Sequence, residues 1–267
     1  MSDPLLSRRL FLADLGRGVV AIAIVGIAGC APSAGRTAGS SAVPSSAAST
    51  RGRSNPPAAA ASTPPVDGST APGRISWSRV DLGFVSAYVL LRAGEIAIVD
   101  AGVAGSEDEI FASISAIGLG WNHVAHVILT HKHPDHAGSI GAVLTAASAA
   151  IGYIGAPDLA AVQAPRPLTA VGDGDRVFGL RIVATPGHTA GHISVLDEAG
   201  GVLVAGDALG TVGGTLAGSN PQFTEDAEAA RATVVKLGKL TFETLLVGHG
   251  EPILSGASAQ VAALGGG

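Results

Sequence analysis

The chain has 267 residues, 16 Lys and Arg against 21 Asp and Glu, and a formal net charge of −5, which leaves room for one sizeable domain plus extensions. The charge is uneven. From Ile75 onward nine Lys and Arg face eighteen Asp and Glu with no basic stripe, which argues against a nucleic-acid partner. The single cysteine, Cys30, lies before that region, so no disulfide can form within the chain and the region after Ile75 has no cysteine to ligate a metal.

In chain order, residues 1–30 read as a signal peptide. A basic start at Arg8-Arg9 precedes an apolar stretch from Val19 to Ala28, which is too short to span a hydrocarbon core of about 30 Å. Ser7-Arg8-Arg9-Leu10-Phe11-Leu12 resembles the twin-arginine export signal, and Ile27-Ala28-Gly29-Cys30 resembles a bacterial lipobox. These resemblances imply lipidation at Cys30 and an exported bacterial lipoprotein on the outer face of the cytoplasmic membrane, held there by its lipid anchor. Residues 31–74 form the next unit. They are rich in Ala, Ser, Gly, Pro and Thr, with too little apolar surface to offset ordering entropy, and read as a disordered linker. A flexible chain of that length spans roughly 35 Å, enough to hold a domain clear of a membrane.

Residues 75–267 carry the folded pattern. Ser86 to Leu91 and Glu95 to Val99 predict a hairpin around Ala93-Gly94. Ser106-Glu107-Asp108-Glu109 matches a capping box opening a helix to about Ile117. Val124 to Leu129 predicts a strand, Ser139 to Ala147 a helix, and the neighbourhood of Ile151 a short strand. Further strands are expected at Arg181 to Ala184, Ile193 to Leu196, Val202 to Ala205 and Leu245 to Val247. Thr224 is expected to cap a helix to about Leu237, and a last helix starts near Gly256. Interleaved strands and helices without strict βαβ order place the domain in the layered α/β class.

The polar residues at four of these strand ends carry the chemistry. "ILTHKHPDHAG" puts His131, His133, Asp135 and His136 directly after an apolar strand. His188 lies in "TPGHTAGH", Asp207 in "AGDAL" and His249 in "VGHGEP". Imidazole nitrogen and carboxylate oxygen suit zinc and its first-row neighbours, and strand ends on Gly- and Pro-rich loops give such ligands a rigid frame with one open side. Buried imidazoles clustered without a metal would each need a hydrogen-bond partner. His123 and His126 fall at a strand entry and read as structural.

H-x-H-x-D-H followed by P-G-H-T-x-G-H, G-D and G-H-G resembles the metallo-β-lactamase superfamily, together with Asp100-Ala101-Gly102 and the Gly172-Asp173-Gly174-Asp175 turn. The resemblance covers Ile75 to about Ala263 and implies a four-layer αββα sandwich. It also implies one metal held by His131, His133 and His188, a second by Asp135, His136 and His249, and Asp207 bridging them. The implied cofactor is two divalent ions, zinc first, with iron or manganese as alternatives. Such a pair makes a hydroxide nucleophile available near neutral pH and polarises a carbonyl. Asp135 would orient that nucleophile or pass its proton to the leaving group, and His192 would support the loop presenting His188.

The commonest β-lactamases of the superfamily use a cysteine where this chain has Asp207, whereas the glyoxalase II and lactonase branches use aspartate. Eighteen residues follow His249, which leaves no counterpart for the glutathione-binding region of glyoxalase II. The reading is therefore a tethered hydrolase of a small lactone, ester or thioester. The alternatives are a β-lactam hydrolase, a mononuclear iron enzyme resembling persulfide dioxygenases, and a non-catalytic tethered binding module. Leu209 to Phe223 and Ala156 to Leu168 are the candidate pocket loops. The small residues from Gly210 to Gly218 predict a wide or mobile mouth with few fixed polar contacts.

Overall fold

A computed structural model of the protein describes residues 73–266. Arg8-Arg9, Cys30 and the linker as far as residue 72 lie outside the described residues. Six strands form one sheet in chain order: β1 (Ser76–Asp81), β2 (Ser86–Arg92), β3 (Glu95–Val99), β4 (Val124–Leu129), β5 (Ile151–Gly155) and β6 (Thr169–Val171). The first three are antiparallel, and from β3 to β6 the pairing is parallel. A second sheet contains β7 (Arg176–Val177), β8 (Leu180–Ala184), β9 (Ile193–Asp197) and β10 (Val202–Gly206), with the late strand Thr244–Val247 joining beside β10. Between them in sequence, β11 (Leu209–Val212) and β12 (Thr215–Gly218) make a separate hairpin; the late strand is β13.

Side-chain alternation along the strands builds three apolar layers. In β2 and β3, Val89, Ile96 and Ile98 face the helices α1 (Glu107–Ala116) and α3 (Ile140–Ala146), packing with Ile110, Ile114, Val143 and Leu144. Their neighbours Tyr88, Leu90, Ala97 and Val99 point the other way and meet Ile182, Val195, Val204 and Leu246 of the second sheet. The outer face of that sheet, with Leu196, Leu203 and Leu245, is covered by Val234 and Leu237 of α4 (Ala227–Leu237) and Val261 of α5 (Ala257–Gly265). A period of two splits each strand's side chains between two such layers, so both faces of both sheets are dry. The result is the αββα sandwich expected of the sequence. Among the described residues no helix is long and apolar enough to cross a membrane.

Several local expectations are corrected. Ser106 precedes α1, but its side chain makes no capping hydrogen bond; its backbone N–H is instead satisfied by the Ser139 hydroxyl at 2.8 Å. Thr224 does not cap α4. Asp226 does, from an extended backbone, accepting from Glu228 N–H and Ala229 N–H at 3.0 Å each. Thr224 donates its hydroxyl to the Asn220 carbonyl. The segment around Gly210 to Gly218, expected to be a wide or mobile mouth, is the paired hairpin β11–β12. Strands β1, β6 and β7 carry too few apolar residues to have announced themselves.

Strand direction positions the site. β8 and β13 run parallel to β10, because β9 is antiparallel to both β8 and β10 and β13 pairs in parallel. Their carboxyl ends therefore open onto one edge, and Thr130 O, just past β4, accepts from Ile193 N–H at 2.8 Å to bring the first sheet's loop to the same edge.

Candidate metal centre

His131 follows β4, and His133 is the cap of the one-turn helix α2 (Pro134–Ala137), which carries Asp135 and His136. Pro134 at the first helical position has no N–H to leave unsatisfied, and its fixed φ suits the start of the helix. His188 follows β8, Asp207 follows β10, and His249 follows β13. All seven residues expected as ligands converge.

His131 Nε2 lies 3.0 Å from His133 Nδ1, which is 2.9 Å from His188 Nε2. A tetrahedral zinc with Zn–N bonds of about 2.0–2.1 Å sets its nitrogens roughly 3.3 Å apart, so this trio is close to the required spacing. Asp135, His136 and His249 form a second group, with His249 Nε2 3.3 Å from Asp135 Oδ2 and 3.4 Å from His136 Nε2. Asp207 stands between them. Its Oδ2 is 3.3 Å from His188 Nε2 and 3.2 Å from His249 Nε2, and its Oδ1 is 3.2 Å from His136 Nε2. That Oδ1 is buried and, apart from its contact with His136 Nε2, has no hydrogen-bond partner. An orphaned buried carboxylate oxygen amid imidazole nitrogens is what a cation would satisfy. The residues fit two ions.

The outer nitrogens of four rings are engaged, which turns the inner ones toward the centre. His136 Nδ1 meets Asp100 Oδ2 at 2.8 Å, and His131 Nδ1 meets Thr130 Oγ1 at 3.1 Å. His188 Nδ1 meets Ser219 Oγ at 2.9 Å, and His249 Nδ1 donates to the Phe84 carbonyl at 2.6 Å. Asp100 adopts φ +63° at the end of β3 and also accepts from Thr130 N–H at 2.7 Å, locking the histidine loop to its own strand. His192 stands outside the centre. It is fully buried, its Nδ1 meets Thr185 Oγ1 at 2.8 Å, and its Nε2 accepts from Asp207 N–H at 3.0 Å. With both ring nitrogens used inside the protein, it supports the loop presenting His188, through Thr185 Oγ1 and the backbone of Thr185 and Thr189, and also holds Asp207 through its N–H. Gly206 makes that approach possible: it has φ +54°, and a Cβ there would sit 2.8 Å from His192 Nε2.

The electrostatics divide the rings into two kinds. Burial holds His188 down to about 4 and His131 well below its ordinary value, so both are neutral donors at pH 7. Hydrogen bonds to Asp135 and then Asp207 raise His249 to about 10. Burial alone would lower His136, but Asp100 and Asp207 outweigh it and hold the ring protonated. Burial likewise opposes the Asp207 charge, and the surrounding imidazoles overcome it, keeping the carboxyl well below its ordinary range.

The centre opens into a cleft of about 710 Å³. Segment Leu209 to Phe223 lines it, as expected; Ala156 to Leu168 does not, and instead borders a separate shallow depression. That second segment contributes in another way, through Asp158, which is fully buried and accepts from Lys132 N–H, Thr189 Oγ1 and Gly191 N–H. Asp158, Ser219 and Phe84 had no sequence signal, since each lies in an unremarkable loop. His123 and His126 are away from the centre: His123 Nδ1 accepts from Gly120 N–H, and His126 Nδ1 meets the Tyr153 hydroxyl at 3.2 Å.

The fold and this donor set define a metal-binding site of the metallo-hydrolase kind. The chain belongs to the metallo-beta-lactamase superfamily, whose family model matches residues 80–249. It is similar to the uncharacterized protein YobT of Bacillus subtilis (strain 168), at 27% identity over 197 residues, covering 62% of this chain and 83% of YobT. It is 32% identical over 178 residues to a hydroxyacylglutathione hydrolase of Acidiphilium cryptum, covering 64% of this chain and 66% of that enzyme, just under two thirds of its length. Its fold is similar to the crystal structure of a metallo-beta-lactamase family protein from Thermus thermophilus, with TM-score 0.58 and 24% identity over 73% of this chain and 79% of that one.

Proposed function

We propose that this metallo-hydrolase is binuclear and cleaves a small lactone, ester or thioester. The observation that carries the reading is the placement of Asp207, whose carboxylate lies within 3.3 Å of nitrogens from both His188 and His249. His131, His133 and His188 would hold one ion, Asp135, His136 and His249 the other, with Asp207 shared. When bound, two divalent ions supply a hydroxide nucleophile near neutral pH and polarise the scissile carbonyl.

The chain's own groups do the rest. Asp135 lines the cleft, and a hydrogen bond from His249 outweighs its partial burial to keep it ionised. It is placed to take a proton from the nucleophile and return it to the leaving oxygen or sulfur. Asp100, Ser219 and the Phe84 carbonyl fix the ligand rings before substrate arrives, so little reorganisation is left for the reaction.

The same proposal puts the domain outside the cell on a lipid-modified Cys30, with the Ala- and Ser-rich linker as its tether. The support is the order of basic pair, short apolar run and lone cysteine. Metal analysis of the purified chain, followed by assays on lactones, thioesters and β-lactams, tests the function. Two zinc-like ions and turnover of a carbonyl ester support it; one iron per chain with sulfur oxidation would point to the oxygenase branch.

A further inference from the structure

Three large apolar side chains stand exposed around the cleft: Val212 at 76%, Phe84 at 63% and Phe223 at 56%. They are three of the eight exposed large hydrophobics among the described residues, gathered at one opening from three separate segments. Phe84 precedes β2, Val212 ends β11 and Phe223 precedes α4. Such a concentration marks a binding surface rather than ordinary scatter.

The hairpin that presents Val212 is built for that position. Gly213 and Gly214, at φ +57° and +79°, form a two-residue turn whose backbone matches the strand twist. Thr211 behind it is pinned by Thr211 N–H to the His249 carbonyl at 3.1 Å and by its hydroxyl to the Glu251 carbonyl at 2.9 Å. At the same opening, Asn220 Oδ1 accepts from Gln222 N–H at 3.0 Å.

Lysine and arginine are missing from this wall. None of the residues lining the cleft is Lys or Arg. Lys132, adjacent in sequence to two of the ligand histidines, is held by Glu225 at 2.7 Å and Asp158 at 3.8 Å. A substrate carboxylate held at this wall, away from the metal centre, would thus find no Lys or Arg counter-ion in an acidic domain.

We infer that the substrate is an uncharged ester or lactone with an aliphatic acyl chain, and that Val212, Phe223 and Phe84 seat that chain. The inference rests on the hydrolase reading and narrows it. Full burial of a methylene favours binding about fourfold, and a cleft open on one side gives about twofold.

The test uses the zinc-loaded full chain with p-nitrophenyl acetate, octanoate and the suberate half-ester, which ends in a carboxylate. kcat/KM should be at least about thirtyfold higher for octanoate than for acetate, and at least about tenfold lower for suberate than for octanoate. The double variant Val212→Ser, Phe223→Ser should bring the octanoate-to-acetate ratio below about five, while Phe223→Leu keeps it, a pattern that loss of fold would not give. Equal turnover of the two alkyl esters, or suberate matching octanoate, overturns the inference and leaves the hydrolase standing. If no ester is cleaved, the hydrolase reading is decided by the lactone and thioester assays, and calorimetry with acetohydroxamate and octanohydroxamate decides the chain seat separately. Tighter binding of the longer probe by about thirtyfold supports it, and equal binding overturns it.

Discussion

Asp158 Oδ1 accepts a hydrogen bond from Gly191 N–H at 2.9 Å, across 33 positions of sequence. Its Oδ2 accepts from Lys132 N–H at 3.1 Å and Thr189 Oγ1 at 2.6 Å. One buried carboxylate thereby ties the loop of His131 and His133 to the loop of His188. Gly191 is required beside it, because a Cβ there would run into the Asp158 backbone and side chain.

Replacing this carboxylate tests the tie. Asp158→Asn keeps the size but turns an amide NH2 toward groups that themselves donate, leaving a buried donor unmatched at about 1–3 kcal/mol. Affinity for the first ion should fall by about 10–100-fold, as for other residues that orient ligands. Metal titration with a competing chelator, alongside thermal unfolding, measures both. Unchanged affinity would show that the two loops hold their positions without Asp158.

Asp207→Ala removes the shared carboxylate. Occupancy should drop below two ions per chain and turnover by orders of magnitude, read by elemental analysis and steady-state rates. His123→Ala and His126→Ala should alter neither, because His123 only accepts from Gly120 N–H and His126 pairs with Tyr153. An Asp207→Ala chain with two ions and full activity would sink the bridging role.

Metal binding should release protons. At pH 7 the metal-free chain carries His249 protonated, with its value raised to about 10 by Asp135 and Asp207, and His136 protonated beside Asp100 and Asp207. Both nitrogens must lose their protons to ligate, whereas His131 and His188 are already neutral. Because the free state holds the extra protons, affinity should rise with pH from about 6 toward 10. Calorimetry in buffers of different ionisation enthalpy should count at least about two protons released per chain at pH 7, from the two rings and in addition from any metal-bound water. A count of zero would contradict the charge assignment.

Most of the centre is legible in the sequence, because metal chemistry restricts residue type and strand ends restrict position. His131, His133, Asp135, His136, His188, Asp207 and His249 all follow apolar runs, and the fold gathers them. What orients them is not legible there. Asp158, Ser219 and the Phe84 carbonyl act through the tertiary approach of loops, and no spacing encodes that. His192 reads as a support of the His188 loop, as its bonds to Thr185 and Thr189 show, but its further bond to Asp207 N–H is not legible, since it depends on a close pass at Gly206. The β11–β12 hairpin escapes a sequence reading because its strands are four residues each and poor in large apolar groups, although the paired glycines at its turn are a usable signal.

The tether is open to a direct test in cells. Cys30→Ser should release the protein from the membrane fraction or leave it unprocessed, and Arg8-Arg9→Lys-Lys should block export. Fractionation with an antibody to the domain reads both. Unchanged membrane association of the serine variant would remove the lipoprotein proposal.

Two ions at this centre are proposed to hydrolyse a lactone, ester or thioester. The most direct test is stepwise addition of zinc to the chelator-stripped chain while p-nitrophenyl octanoate cleavage is followed. No activity is expected without metal, and the rate should reach its plateau at two equivalents. Activity that persists in the stripped chain, or a plateau at one equivalent, would contradict the proposal.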